Sequence, residues 1–193
     1  MISRVGHCGS ILSALLLTLA SAIGLRANTL APLSLEQITS AAAVIVHARC
    51  SDTESRWRDG EIWTITSFRT EEIWKGAIPH HFQIWMIGGR IGQLTSYVPG
   101  APQFVPGEEV VLFLELTRSG SLSITAWGEG TFRIHREATT GEVRVTQDSA
   151  AWPMFDANAR SSREDGIYDW PLEKLKSRVL AAEASETNRR RKQ

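Results

Sequence analysis

Cysteine is scarce: the 193 residues contain two, Cys8 and Cys50. Only Cys50 falls in the part of the chain that reads as a folded domain. No internal disulfide is therefore expected, and an apolar core has to hold the fold. Charge of one sign is lacking as well. The 21 basic residues balance 21 acidic ones, so there is no global field to gather nucleic acid and none is expected as a partner. After the first 27 residues no apolar run approaches the roughly 20 residues needed to span a bilayer. Catalytic signatures are missing too. No serine stands in a Gly-x-Ser-x-Gly elbow. The stretch Gly88-Gly89-Arg90-Ile91-Gly92 follows a strand without opening a helix and lacks the Lys-Ser/Thr ending of a phosphate loop. No catalytic residue and no cofactor is assigned.

What is present begins with an export signature. Arg4 precedes the uncharged run from Ile11 to Ala20, and small residues follow, with candidate cleavage after Ala22 or Ala27. Residues 1 to 27 read as a signal peptide, so the mature chain is expected in the periplasm or outside the cell. Cys8 lies before the apolar run, where it is not placed to become a lipid-anchored first residue. Removal of the segment takes away Arg4 and Arg26 and no acid. It leaves 19 of the 21 basic residues against 21 acidic ones, a net charge of −2.

The mature chain reads as strands. Residues 34–42 form a short helix capped by Ser34, with Gln37 three residues later. In Val44-Ile45-Val46-His47-Ala48-Arg49-Cys50, Val44, Val46, Ala48 and Cys50 take one face and His47 and Arg49 the other. Asp59-Gly60 signals a turn. Strands are expected at 62–74, 82–87, 110–114, 122–127, 131–135 and 143–145. The run 110–114 is apolar on both faces and therefore central. The five glycines and three prolines of 88–107 mark a long loop. Pro171 starts a helix with Leu172, Leu175, Val179 and Leu180 as its apolar stripe. Without βαβ alternation the sheet is expected to be mainly antiparallel. The fold class is mainly β: a small OB-like barrel, with a β-sandwich as the alternative, between a short N-terminal helix and a C-terminal one. The expected divisions are a signal peptide at 1–27, a barrel at 28–146, an irregular linker at 147–170, and a helix with a basic tail at 171–193.

Four segments carry a resemblance. They are Ala43-Val44-Ile45-Val46-His47-Ala48, Glu71-Glu72-Ile73-Trp74-Lys75-Gly76, Pro106 to Leu114, and Gly128-Glu129-Gly130-Thr131-Phe132. Over residues 34–135 the chain resembles a group of exported bacterial proteins of uncharacterised function. More distantly it resembles the netrin-like, OB-type barrel of tissue inhibitors of metalloproteinases. Those inhibitors present a disulfide-linked N-terminal cysteine to the protease zinc. Here the mature chain begins at Ile23 or Asn28, so the resemblance implies the barrel and not the inhibition.

The candidate site residues are few. Seven tryptophans are many for this length. Trp63 and Trp85, if exposed on neighbouring strands, make a stacking platform for sugars or a partner peptide; ordinary core packing is the competing expectation. In the loop 88–106, Arg90, Tyr97 and Phe104 are candidate recognition side chains. His80-His81 are weak metal candidates, with His47 or His135 as a third ligand. Adjacent strand residues point to opposite faces, so both bind one ion only from a loop. Cys50 is expected as a small buried hydrophobe, and Arg189-Arg190-Arg191-Lys192 as a solvated tail. The expected function is a non-enzymatic exported domain binding another exported protein or an envelope component. A metal-dependent hydrolase and a carbohydrate-binding module are the alternatives.

Overall fold

The computed structural model describes residues 33–148 and 166–191. The expected signal peptide with both cleavage sites, most of the expected linker, and Lys192 lie outside the described residues. Helix α1 (Leu35–Ala41) starts as its sequence requires. Ser34 Oγ accepts from the Gln37 amide at 3.2 Å, and Gln37 Oε1 accepts from the Ser34 amide at 2.7 Å. Two long strands follow, β1 (Val44–Arg58) and β2 (Glu61–Lys75), then β3 (His81–Ile87) and a short hairpin of β4 (Gly89–Ile91) and β5 (Leu94–Ser96). Beyond it come β6 (Glu109–Leu116), β7 (Leu122–Ile124), a 3₁₀ turn at Trp127–Gly130, β8 (Thr131–Arg136), β9 (Val143–Gln147), β10 (Trp170–Pro171) and helix α2 (Leu172–Arg191).

Every pairing is antiparallel. The sheet runs β10-β9-β8-β6-β1-β2-β3, and β7 joins β6 beside β8. Strand β6 divides one edge: Val110–Leu112 pair with β8 and Leu114–Leu116 pair with β7. Cα atoms of β3 and β7 approach within 8 Å, yet among the described residues no ladder joins them. The ring β3-β2-β1-β6-β7 is thus outlined but not closed by hydrogen bonds.

Two cores follow from the alternation. On the inner face Val46, Ala48, Phe68, Ile84, Leu112 and Ile124 pack together. On the outer face Ile45, Val111, Phe113 and Phe132 pack beneath Leu35 and Ile38 of α1 and Leu175 and Val179 of α2. Strand β6 sends Val110, Leu112 and Leu114 to the first core and Val111 and Phe113 to the second. Its doubly apolar sequence has that reason.

Several sequence expectations shift. The segment 88–107 contains the β4–β5 hairpin and buries Ala101 and Phe104, because its apolar residues plug the inner core. The strand from Leu122 ends at Ile124. Ala126 and Trp127 both take left-handed backbone conformations (φ 49° each), which turns the chain into the 3₁₀ segment. Leu180 is exposed, so the α2 stripe rests on Leu175 and Val179. Helix α2 continues through Arg191, and Ile167 and Trp170, at the end of the expected linker, pack into the outer core.

Candidate functional site

The outer face has a covered half and a bare half, and a β-bulge sets which residues the bare half shows. Cys50 pairs with Phe68 and Asp52 with Ser67, so Ser51 is the extra residue of β1. The bulge shifts the alternation by one. Before it, Ile45, His47 and Arg49 face outward; after it, Asp52, Glu54, Arg56 and Arg58 do. Asp59 and Gly60, at φ 53° and 82°, then make the tight turn into β2. Outward from β2 and β3 come Trp63, Ile65, Ser67 and Gln83, Trp85, Ile87, as the registers Trp63↔Ile87 and Ile65↔Trp85 require.

Trp63 and Trp85 therefore lie one rung apart on neighbouring strands of the same face. Trp63 is half-buried and Trp85 is 39% exposed. Ile65, between them, is buried, although it belongs to neither of the two core clusters. The Arg58 guanidinium carbon sits 5.7 Å from the Trp63 ring centroid and 5.3 Å from that of Trp85. A guanidinium over indole rings is held by the ring quadrupoles without losing its N–H donors. Among the described residues none accepts a hydrogen bond from Arg58; its nearest acid is Asp59, with Nε 3.6 Å from Oδ2. Most of the other sheet arginines are occupied. Arg56 binds Glu54 at 2.7 and 2.8 Å, which holds that carboxyl below its usual range. Arg69 binds Glu71 at 2.7 Å, and Arg49 binds Glu109. Arg144 binds Asp169 at 2.8 Å.

The loop candidates do not join this surface. The close approach of Gly89 to Ser55 and Thr64 applies the β4–β5 hairpin to the opposite face, and the Arg90 amide donates to Ser55 Oγ at 3.2 Å. The Arg90 side chain turns back to the Gly92 carbonyl at 3.0 Å, and Tyr97 is exposed. Phe104 is 7% exposed and does not reach the surface. Its ring meets Phe68 edge-on at 5.1 Å, under the Arg133 guanidinium. Arg133 itself is clamped by Asp148 at 2.7 and 2.9 Å, by Glu108, and by the Gln103 carbonyl at 2.8 Å. Burial alone would lower its pKa, but the two carboxylates raise it. That cluster ties the loop to β8 and β9.

The histidines are scattered. His80 and His81 are exposed neighbours with ring centroids 4.7 Å apart. His47 pairs with Glu109 at 3.3 Å and His135 with Asp169 at 3.0 Å. Among the described residues no three His, Cys, Asp or Glu side chains are gathered into a ligand set. Cys50 is fully buried, and burial, followed by Glu108, pushes its thiol up to about 11. It is a packed side chain and not a nucleophile at neutral pH.

Of the site residues named from sequence, the structure brings Trp63 and Trp85 together. Arg58 was missed there. The signal for it lay in the turn: an Asp-Gly turn at 59–60 implies that β1 runs up to residue 58, with Glu54, Arg56 and Arg58 alternating on one face. Among the described residues no helix is long and apolar enough to cross a membrane. Compared with known proteins, the chain matches no family model, no curated protein and no solved structure.

Proposed function

We propose that the chain is exported and works outside the cytoplasm as a non-enzymatic binding domain. It engages an exported protein or a component of the cell envelope through the outer face of β1, β2 and β3. One observation carries the reading: two indoles and a guanidinium that donates no hydrogen bond to the described residues share a sheet surface away from both helices. Tryptophan and arginine are the residue types that concentrate binding energy at interfaces. The OB-type barrel that the sequence resemblance implies binds ligands on the face of its second and third strands. Export is supported by the charged, apolar and small-residue order of residues 1–27.

Two measurements test this. Sequencing the N-terminus of the protein recovered from the exported fraction should give Ile23 or Asn28; an intact Met1 there, or retention in the cytoplasm, would overturn export. Affinity capture from the exported fraction should retain a saturable partner that Trp85→Ala releases, and retention unchanged by that variant would remove the face from the proposal. The hydrolase alternative predicts stoichiometric zinc that is lost with His80→Ala. The separate partners of His47 and His135 give it no geometric support.

A further inference from the structure

The guanidinium of Arg58 lies over both Trp63 and Trp85, ion-paired with Asp59 at 3.6 Å and donating no hydrogen bond to the described residues. From this we infer that the face takes an acidic glycan, a polysaccharide bearing isolated carboxylates of the uronate type. The inference rests on the binding-face reading above and names its ligand class.

Contact with two rings, at 5.7 and 5.3 Å, restricts the position of the guanidinium before any ligand arrives, which lowers the freedom lost on binding. A planar guanidinium with an open edge matches a carboxylate through two parallel N–H···O bonds. Trp85 keeps an exposed ring surface beside it, fitted to the apolar side of a sugar ring. Only one positive charge is on offer. Arg56 is neutralised by Glu54, and Asp59 and Glu61 flank Arg58, Glu61 as its cross-strand partner. A densely charged polymer, whether nucleic acid, polyphosphate or an anionic membrane, meets those acids as repulsion. A glycan with its carboxylates spaced along otherwise neutral rings places one at Arg58 and keeps the rest away from the acids. The open face of β1, β2 and β3 also suits a chain of sugar rings better than the single side chain of an acidic peptide, which needs a pocket.

The test uses the full chain and tryptophan fluorescence. Tetragalacturonate and a hyaluronan tetrasaccharide are titrated beside their methyl esters, and a Glu-rich peptide serves as the other macromolecular class. At least one acid is expected to bind saturably and its ester about ten- to a hundredfold more weakly, the factor of a charge-assisted bidentate pair. Arg58→Gln should weaken the acid by the same factor and bind acid and ester alike. Arg58→Lys should keep part of the discrimination, and Trp85→Ala should weaken both ligands together. Equal unfolding midpoints in urea confirm that the variants fold. Acid and ester binding equally, discrimination that survives Arg58→Gln, or no response to either glycan would each overturn the inference. If the glycans fail while the peptide or a captured protein is lost with Trp85→Ala, the acidic-glycan assignment falls and the binding face stands. If Trp85→Ala changes nothing at all, both fall.

Discussion

The two halves of the outer sheet face share strand β1 and end differently. Near the start of β1 the face shows Ile45, Val111, Phe113 and Phe132, and α1 and α2 cover it. Near the β1–β2 turn it shows Trp63, Trp85, Arg56 and Arg58, and neither α1 nor α2 covers it among the described residues. Both halves carry large apolar groups, so hydrophobicity alone does not separate them. Ile45, Val111, Phe113 and Phe132 have no polar atoms and gain only from losing water, and the Trp74 indole beside them has its N–H satisfied by Glu72 at 3.0 Å. The side chains of the bare half are amphipathic, with an indole N–H or a guanidinium that stays hydrated while the ring or stem shields Ile65. Along β1 the same face is thus core at Ile45 and exposed at Arg56 and Arg58.

The sharpest way to break this comparison is truncation in each half. Phe113→Ala should lose about 3–5 kcal/mol in urea unfolding, because its ring is fully buried against Phe132 at 5.2 Å. Trp85→Ala should cost less than about 1 kcal/mol. If the two cost the same, the bare half is core and no binding face exists.

Next in size is Gly89→Ala. A Cβ there would lie 2.2 Å from Thr64 Oγ1 and 2.5 Å from Ser55 Oγ, at a φ of 135° that other residues avoid. The expected loss is about 1–3 kcal/mol, with faster amide exchange across β4 and β5. A neutral result would detach the hairpin from the inner face and blur the distinction between the faces.

Cys50 reports on the sealed interior that both halves enclose. The native thiol should resist a disulfide reagent at pH 8 and react once urea opens the fold. An acid whose folded pKa is raised loses its proton first in the unfolded chain. Stability should therefore fall as pH rises from the ordinary 9.0 toward about 11, and Cys50→Ala should flatten that limb. Rapid labelling of the native protein would show that the interior is open at that end.

The smallest effect belongs to the helix clamp. Lys176 holds Glu72 at 2.6 Å and Arg178 holds Glu36 at 2.6 Å, and these pairs, with Trp74 on Glu72, keep both carboxyls low. Their contribution is present above the ordinary carboxyl value of 4.5 and disappears as pH falls through the depressed values. Since the pairs are largely exposed, Lys176→Ala should cost under about 1 kcal/mol, less in high salt. A larger loss would mean that charge, and not Leu175 and Val179, seats the helix.

Much of this was legible in the linear chain where the governing physics is local. The Ser34–Gln37 capping box, the Asp59-Gly60 turn, the alternation of Val44, Val46, Ala48 and Cys50, and the doubly apolar β6 each depend on neighbours a few residues away. The site was half legible. Trp63 and Trp85 stood out by residue type, while Arg58 and the burial of Phe104 did not. The first needed the length of β1 and the Ser51 bulge; the second needed Phe68 and Arg133 to come from distant strands.

Sequence by itself determined where most of the strands lie and which face the side chains of Val44 to Cys50 take, because backbone pleating repeats every two residues until a bulge interrupts it. Tertiary structure alone decided which half of the outer face the helices cover and that Arg58 comes to rest on two indoles. Those outcomes depend on side chains from separate strands and helices meeting in space, and no local pattern encodes such meetings.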